Sequence, residues 1–219
     1  MQLLKSSVGR KILMAITGQM MVLFVIVHLL GNSSIFLGAN GLNSYAEHLH
    51  SLGPLVWVFR LVMLALILIH GIFGIMVSLE NSAANPSKYA VNKKLKANFA
   101  SENMIWTGVL LLIFIVYHLT HFTARLWSDV APFATPVPGN VFGMVTASFS
   151  HGIIAFTYVA AMVVLFLHLF HGIQSFFQTM GWSNNCTLPV ISKLGRALAV
   201  VFLVGYSSIP LFILTGIIK

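Results

Sequence analysis

The sequence predicts an all-α membrane protein, a single domain over residues 1–219 in which five transmembrane helices form a bundle with a cytoplasmic N-terminus. Three observations carry that reading. Of the 219 residues, 58% are hydrophobic and only 7% are charged, far from the balance of a soluble domain. Apolar runs of about 20 residues, long enough to cross roughly 30 Å of hydrocarbon, occur five times. Basic residues gather between alternate runs: Lys5, Arg10 and Lys11, then Lys88, Lys93, Lys94 and Lys96, then Lys193 and Arg196, whereas residues 31–53 and 126–147 contain no Lys or Arg. The positive-inside rule puts the basic side in the cytoplasm and the C-terminus outside.

The first span, residues 11–30, follows three basic residues as a secretion signal would, but its apolar part is too long and no small-residue cleavage site follows. Residues 31–53 mix Asn, Ser and Gly with Phe36, Leu42, Tyr45 and Leu49, which suits a segment folded back along the outer interface. The second span covers 55–79. The polar, basic stretch 81–103 then faces the inner side, where it can meet a partner or anionic headgroups. The third span covers 104–125, and "WSDVAPFATPVPGN" after it, with three prolines within seven residues, predicts an irregular outer cap. The fourth span covers 148–180 and the fifth 190–218, with Pro210 predicted to kink the last helix or break it near its outer end. The formal charge of +8 is set by topology rather than by a basic surface interleaved with aromatics, so no nucleic-acid partner is expected. The single cysteine, Cys186, can form no internal disulfide, and no Rossmann-type or P-loop glycine pattern is present.

Nine histidines in so apolar a chain require an account, because an unpartnered polar ring in lipid costs several kcal/mol. Depth follows from counting along each helix. His28 lies 17 residues beyond Lys11, roughly 26 Å from the inner end, and His118 lies 16 beyond Glu102, roughly 24 Å. His70 lies 10 residues before Glu80, roughly 15 Å up, and His168 lies 12 before Met180, roughly 18 Å. Four helices therefore supply an outer pair and an inner pair.

That pattern suits bis-histidine haem ligation, with one imidazole on either side of a porphyrin, and two pairs imply two b-type haems. Each ring would bind iron with one nitrogen and donate from the other, leaving neither unsatisfied. Gly31, Gly71, Gly74, Gly152 and Gly172 stand close in sequence to the histidines and would admit a flat macrocycle, although glycine also serves ordinary helix packing in membranes. Arg60, two turns inside the outer end of the second span, suggests a buried anion such as haem propionates. His121 and His171 repeat the pattern His-Leu-x-His one turn beyond His118 and His168. They read as supporting residues that bond a propionate, a quinone or a neighbour, with axial ligation as the alternative. His151, near the outer mouth, has a site role or plain interfacial solvation open to it.

"HLLGNSSIFLGANGLNSYAEHL" with "WVFRLVMLALILIHG", and later "FLHLFHGIQSFFQTMG", resemble the first-helix histidine, outer loop, second helix and fourth-helix signature of the two-haem, five-helix cytochrome b subunits of succinate:quinone oxidoreductase and quinol:fumarate reductase. The resemblance covers nearly the whole chain. It implies that His28 and His118 hold a distal haem and that His70 and His168 hold a proximal one. It further implies a membrane anchor in a bacterial cytoplasmic membrane, which binds an FAD flavoprotein and an iron-sulfur subunit on the cytoplasmic side and passes electrons between them and a quinone, commonly menaquinone. Dicarboxylate chemistry would belong to those partners, since one cysteine cannot hold an iron-sulfur cluster. Lysines 88–96 are candidates for docking the iron-sulfur subunit, or serve topology alone.

Quinone chemistry couples electrons to protons and needs a titratable group near the electron donor. Glu47, His48 and His50, just before the second span, are the candidate quinone and proton site on the distal side. In some relatives of this kind a glutamate two positions before the fourth-helix ligand conducts protons across the bilayer; this chain has Phe166 there, which argues against that path. Two alternatives stand beside this reading: a cytochrome b of another respiratory complex, with different partners, and a haem-free histidine-relay proton transporter. A relay would spread its groups across the membrane rather than gather them at two levels.

Overall fold

The computed structural model describes residues 4, 6–84, 99–133 and 139–219. Among them the chain is helical, with no strand. In chain order the helices are α1 (Ser7–Asn32), α2 (Gly38–Ser51), α3 (Pro54–Ala83), the single turn α4 (Phe99–Glu102), α5 (Met104–His118), α6 (Val141–Phe149), α7 (Gly152–Thr179) and α8 (Leu188–Leu214). Five helical segments are long and apolar enough to cross a membrane: α1, α3, α5 with its continuation to Thr123, α7 and α8. The chain thus has the character of a multi-pass membrane protein. Its outward faces agree, since Leu79, Trp106 and Ile153 are among many large apolar side chains left uncovered by protein. Lipid removes that penalty, and helices leave no backbone group unsatisfied in lipid.

Successive spans run antiparallel, so Asn32, Gly53, Thr123 and Gly152 mark one end of the bundle, called upper here, and Ser7, Ala83, Met104 and Thr179 mark the lower. Ser6 starts α1 by accepting the Gly9 N–H at 3.0 Å, and Pro54 starts α3, where its missing N–H costs nothing. At the lower ends of α1 and α3, Arg10 pairs with Glu80. α8 packs along α7 and against α1, burying Phe202 and Ala199, and the Tyr206 hydroxyl donates to the Val25 carbonyl at 2.7 Å. Pro210 does not end α8; the helix continues to Leu214 with Pro210 buried.

Residues 141–147, which lie outside the spans read from sequence, belong to α6, which Asn140 caps by accepting the Gly143 N–H at 2.8 Å. The segment after α1 forms the amphipathic α2, whose Leu42 and Ala46 are buried while Glu47 and His48 face outward. Asn43 ties the two together: its side-chain oxygen accepts from the Phe142 N–H at 2.9 Å, and its amide donates to Asn140 at 3.2 Å.

Candidate functional site

The four deep histidines meet in the two pairs that depth predicted. His28 of α1 faces His118 of α5, with ring centroids 6.0 Å apart and planes 82° apart. His70 of α3 faces His168 of α7, with centroids 6.2 Å apart and planes 69° apart. A metal–imidazole bond of about 2.0–2.1 Å, plus roughly 1.1 Å from nitrogen to ring centre, puts two rings bound on opposite sides of one metal about 6.3 Å apart. Both pairs stand at that separation. Among the described residues no group of three or more His, Cys, Asp or Glu side chains gathers to hold a metal. Each pair therefore offers two imidazoles at that separation, which suits a metal whose remaining positions come from a macrocycle.

The lower pair is held by the two helices that do not supply its rings. His70 Nδ1 donates to the Met14 carbonyl of α1 at 2.9 Å. His168 Nδ1 lies 3.1 Å from the Thr107 hydroxyl of α5, whose own hydrogen goes to the Asn103 or Met104 carbonyl, so the hydroxyl oxygen accepts from the ring. With Nδ1 carrying the proton on both rings, Nε2 keeps its lone pair, the tautomer a metal ligand requires. Close approach is possible because α1 has a glycine opposite the His70 ring: a Cβ on Gly18 would stand 2.9 Å from Cε1 and 3.1 Å from Nδ1. Gly108 of α5 lies against His168 in the same sense, with a Cβ there 3.4 Å from Cε1.

The upper pair is held by aromatic rings and a hydroxyl. Phe24 stacks on His28 at 5.2 Å and Phe114 on His118 at 5.9 Å. The Tyr158 hydroxyl of α7 lies 3.4 Å from His118 Nδ1, and the Tyr206 ring of α8 lies 6.1 Å from His28.

His121 and His171 stand differently although they repeat one pattern. α7 is regular through His171, which sits one turn below His168 and is partly buried. After His118, however, the chain widens into a π-helical turn over Leu119–Thr123, closed by the Ala124 N–H to Leu119 carbonyl bond at 2.8 Å. A wider turn rotates less per residue, so His121 is turned from the direction a regular helix would give it. It is fully buried, with Nδ1 2.9 Å from the Tyr158 hydroxyl and Nε2 2.8 Å from the Asp129 carboxylate. Both its nitrogens are engaged by neighbours. Arg125, at φ 54°, turns the chain back through the left-handed region, and its side chain bonds the Phe133 carbonyl. Asp129 thereby returns over the bundle, where Ser148 of α6 also donates to it at 2.6 Å. Burial of this carboxylate alone would raise its pKa, but the hydrogen bonds from Ser148 and His121 outweigh burial and hold it below the ordinary carboxylate range.

The remaining sequence candidates lie at the upper surface. Glu47, His48 and His50 are exposed on α2, and His50 Nδ1 donates to the Ala46 carbonyl of its own helix at 2.8 Å. His50, Trp57 and Arg60 line one shallow hollow, which Glu47 and His48 do not. Arg60 is exposed rather than deeply buried, its guanidinium 4.9 Å above the Trp57 ring. His151 is exposed just before α7. Lys88, Lys93, Lys94 and Lys96 lie outside the described residues.

Sequence reasoning missed Gly18, Gly108, Thr107, Tyr158, Ser148 and Asp129. Two signals were present. Gly18 and Gly108 are glycines inside spans, seven residues beyond Lys11 and six beyond Glu102, on the helices that lack the inner pair's histidines, and Asp129 is the chain's sole aspartate. Of the glycines beside the histidines in sequence, Gly31 is closed over by the Tyr45 ring, whereas a Cβ on Gly71 would meet no protein atom within 4 Å. No protein-family model, curated protein or solved structure matches this chain.

Proposed function

We propose that the chain is a two-haem cytochrome b membrane anchor of the succinate dehydrogenase and fumarate reductase kind, carrying electrons between a quinone, menaquinone by resemblance, and flavoprotein and iron-sulfur subunits bound at its basic, cytoplasmic end. The observation that carries the reading is the pairing of His28 with His118 and of His70 with His168 at 6.0 and 6.2 Å, the separation of two imidazoles across one iron. Haem, when bound, supplies one-electron exchange between ferric and ferrous iron. The chain's own residues hold the rings: Met14 and Thr107 accept the Nδ1 protons of the lower pair, Tyr158 approaches that of His118, and Phe24 and Phe114 restrain ring rotation. The surrounding apolar helices exclude water from both pairs, which lets ligand hydrogen bonding and burial set the redox potentials.

At the upper end, the hollow of His50, Trp57 and Arg60 is the place we assign to the quinone headgroup, with Glu47 and His48 near it on α2 as proton-exchanging groups. Arg60 keeps a second use there, as a partner for haem propionates. His171 remains available to a propionate or quinone at the lower pair.

Reduced-minus-oxidised spectra of the protein purified in mild detergent test the reading. Two b-type haems per chain are expected, with one centre lost in His70→Ala and the other retained. A folded, haem-free chain would overturn it, and a haem-bearing chain that copurifies with a different dehydrogenase would reassign the complex.

A further inference from the structure

Beside the upper pair, Asp129, His121 and Ser148 have no part in the function just proposed, and they connect to the Tyr158 hydroxyl that approaches His118. They form one chain of hydrogen bonds from the upper cap into the bundle. Asp129 is one-tenth exposed, and His121 and Tyr158 beneath it are buried. With one proton on His121, the first member sets the direction of every bond in the chain.

An ionised carboxylate only accepts, so Asp129 Oδ2 takes the His121 Nε2–H at 2.8 Å and the Ser148 hydroxyl at 2.6 Å. A neutral His121 protonated at Nε2 has a lone pair at Nδ1. The Tyr158 hydroxyl, 2.9 Å away, has one hydrogen and gives it to that lone pair. Its oxygen can then only accept from His118 Nδ1, at 3.4 Å, and the longer distance fits the second place of this link. His118 is thereby protonated at Nδ1, with its Nε2 lone pair free. In the lower pair the same outcome is reached in one step, through Met14 and Thr107, with no charge involved. The two pairs therefore differ: among the described residues, the upper one alone is joined to a carboxylate.

We propose that Asp129 is a positioning residue of the upper centre, acting through His121 and Tyr158 to fix the tautomer of His118 and to make its Nε2 more electron-rich. This rests on the two-haem reading. A more basic axial nitrogen favours ferric over ferrous iron, so the relay lowers the upper centre's reduction potential relative to a ring with no such partner.

The test is redox titration of the intact complex in mild detergent, with the upper centre identified as the one that survives in His70→Ala. Asp129→Asn keeps the shape and one acceptor oxygen but removes the charge; Tyr158→Phe keeps the ring and breaks the link. Each is expected to shift the upper centre toward its reduced form by about tenfold, or 59 mV for one electron, with the lower centre unmoved. The double variant should shift no further than Tyr158→Phe alone, because both changes cut one path. If Tyr158→Phe sheds its upper haem, Asp129→Asn carries the test. Two haems bound with an unmoved upper potential would overturn the relay and leave the haem reading standing. Shifts that add in the double variant would also overturn it, since Asp129 would then act through space. A wild-type complex without haem would overturn both.

Discussion

Gly18→Ala probes the lower pair at the place where the backbone leaves least room. The added Cβ would lie 2.9 Å from His70 Cε1 and 3.1 Å from Nδ1, against a comfortable carbon contact of about 3.5–4.0 Å. α1 cannot retreat freely, because α3 and α7 pack along it and Arg10 ties its lower end to Glu80. Two responses are open to the ring. It can stay and bear the overlap, at about 1–3 kcal/mol for overpacking. It can instead swing away and lose the bond from Nδ1 to the Met14 carbonyl, at about 1–3 kcal/mol for a buried polar group left without its partner. These are alternatives, not a sum, so the lower pair loses about 1–3 kcal/mol of ligand placement, roughly 5- to 150-fold in haem retention. The helix-propensity gain of alanine, at most about 1 kcal/mol, acts on the whole fold and leaves this local loss in place. The upper centre of the same variant is the internal control, because Gly18 stands against the His70 ring. Haem content per chain and the reduced spectrum, followed during dilution into haem-free detergent, should show the lower centre shed or shifted in Gly18→Ala and the upper centre intact. A Gly18→Ala protein with both centres native in spectrum and retention would refute the packing argument, as would equal loss of the upper centre.

Other consequences are more quickly stated. Alanine at His28 or His118 should remove the upper centre alone, and at His168 the lower centre alone, as read in difference spectra; a loss that crosses between pairs would contradict the pairing. Thr107→Val leaves the His168 Nδ1–H without its acceptor, costing about 1–2 kcal/mol of stability and raising the lower centre's potential, while the upper stays fixed. Because the folded-state pKa of Asp129 is depressed, its contribution to stability is present above the ordinary carboxylate pKa and lost as pH falls through the lowered value. Thermal unfolding in detergent should therefore separate wild type from Asp129→Asn near neutral pH and bring them together in acid. A separation that persists through acid would sink that assignment.

What sequence made legible was what lipid enforces. Span lengths follow from bilayer thickness, and His28, His70, His118 and His168 declare themselves because imidazole is out of place in hydrocarbon, while counting rises of 1.5 Å sorts them by depth. The partners of those rings were hidden for physical reasons. The Met14 carbonyl is a backbone acceptor, which every residue carries, so nothing in the sequence marks it. Gly18 meets His70 through the rotational phase of α1 against α3, which spacing along one helix does not determine. Asp129 reaches His121 only because the chain widens at Leu119–Thr123 and then reverses at Arg125 with φ 54°, a conformation unusual for a residue with a Cβ. His-Leu-x-His at 118–121 and at 168–171 is one pattern with two outcomes, since a π turn follows the first and regular helix the second. The helix over 141–149 was masked by the prolines before it, although Asn140 three residues ahead of Gly143 is an ordinary capping arrangement.

Electron paramagnetic resonance of the oxidised protein bears most directly on the paired imidazoles. Ring planes 82° and 69° apart would leave the two d orbitals of a bound iron that face the ligands nearly equal in energy. Two low-spin ferric signals of strong anisotropy are therefore expected, one abolished by His28→Ala and the other by His70→Ala. High-spin iron in the wild type, or no haem iron at all, would contradict the account.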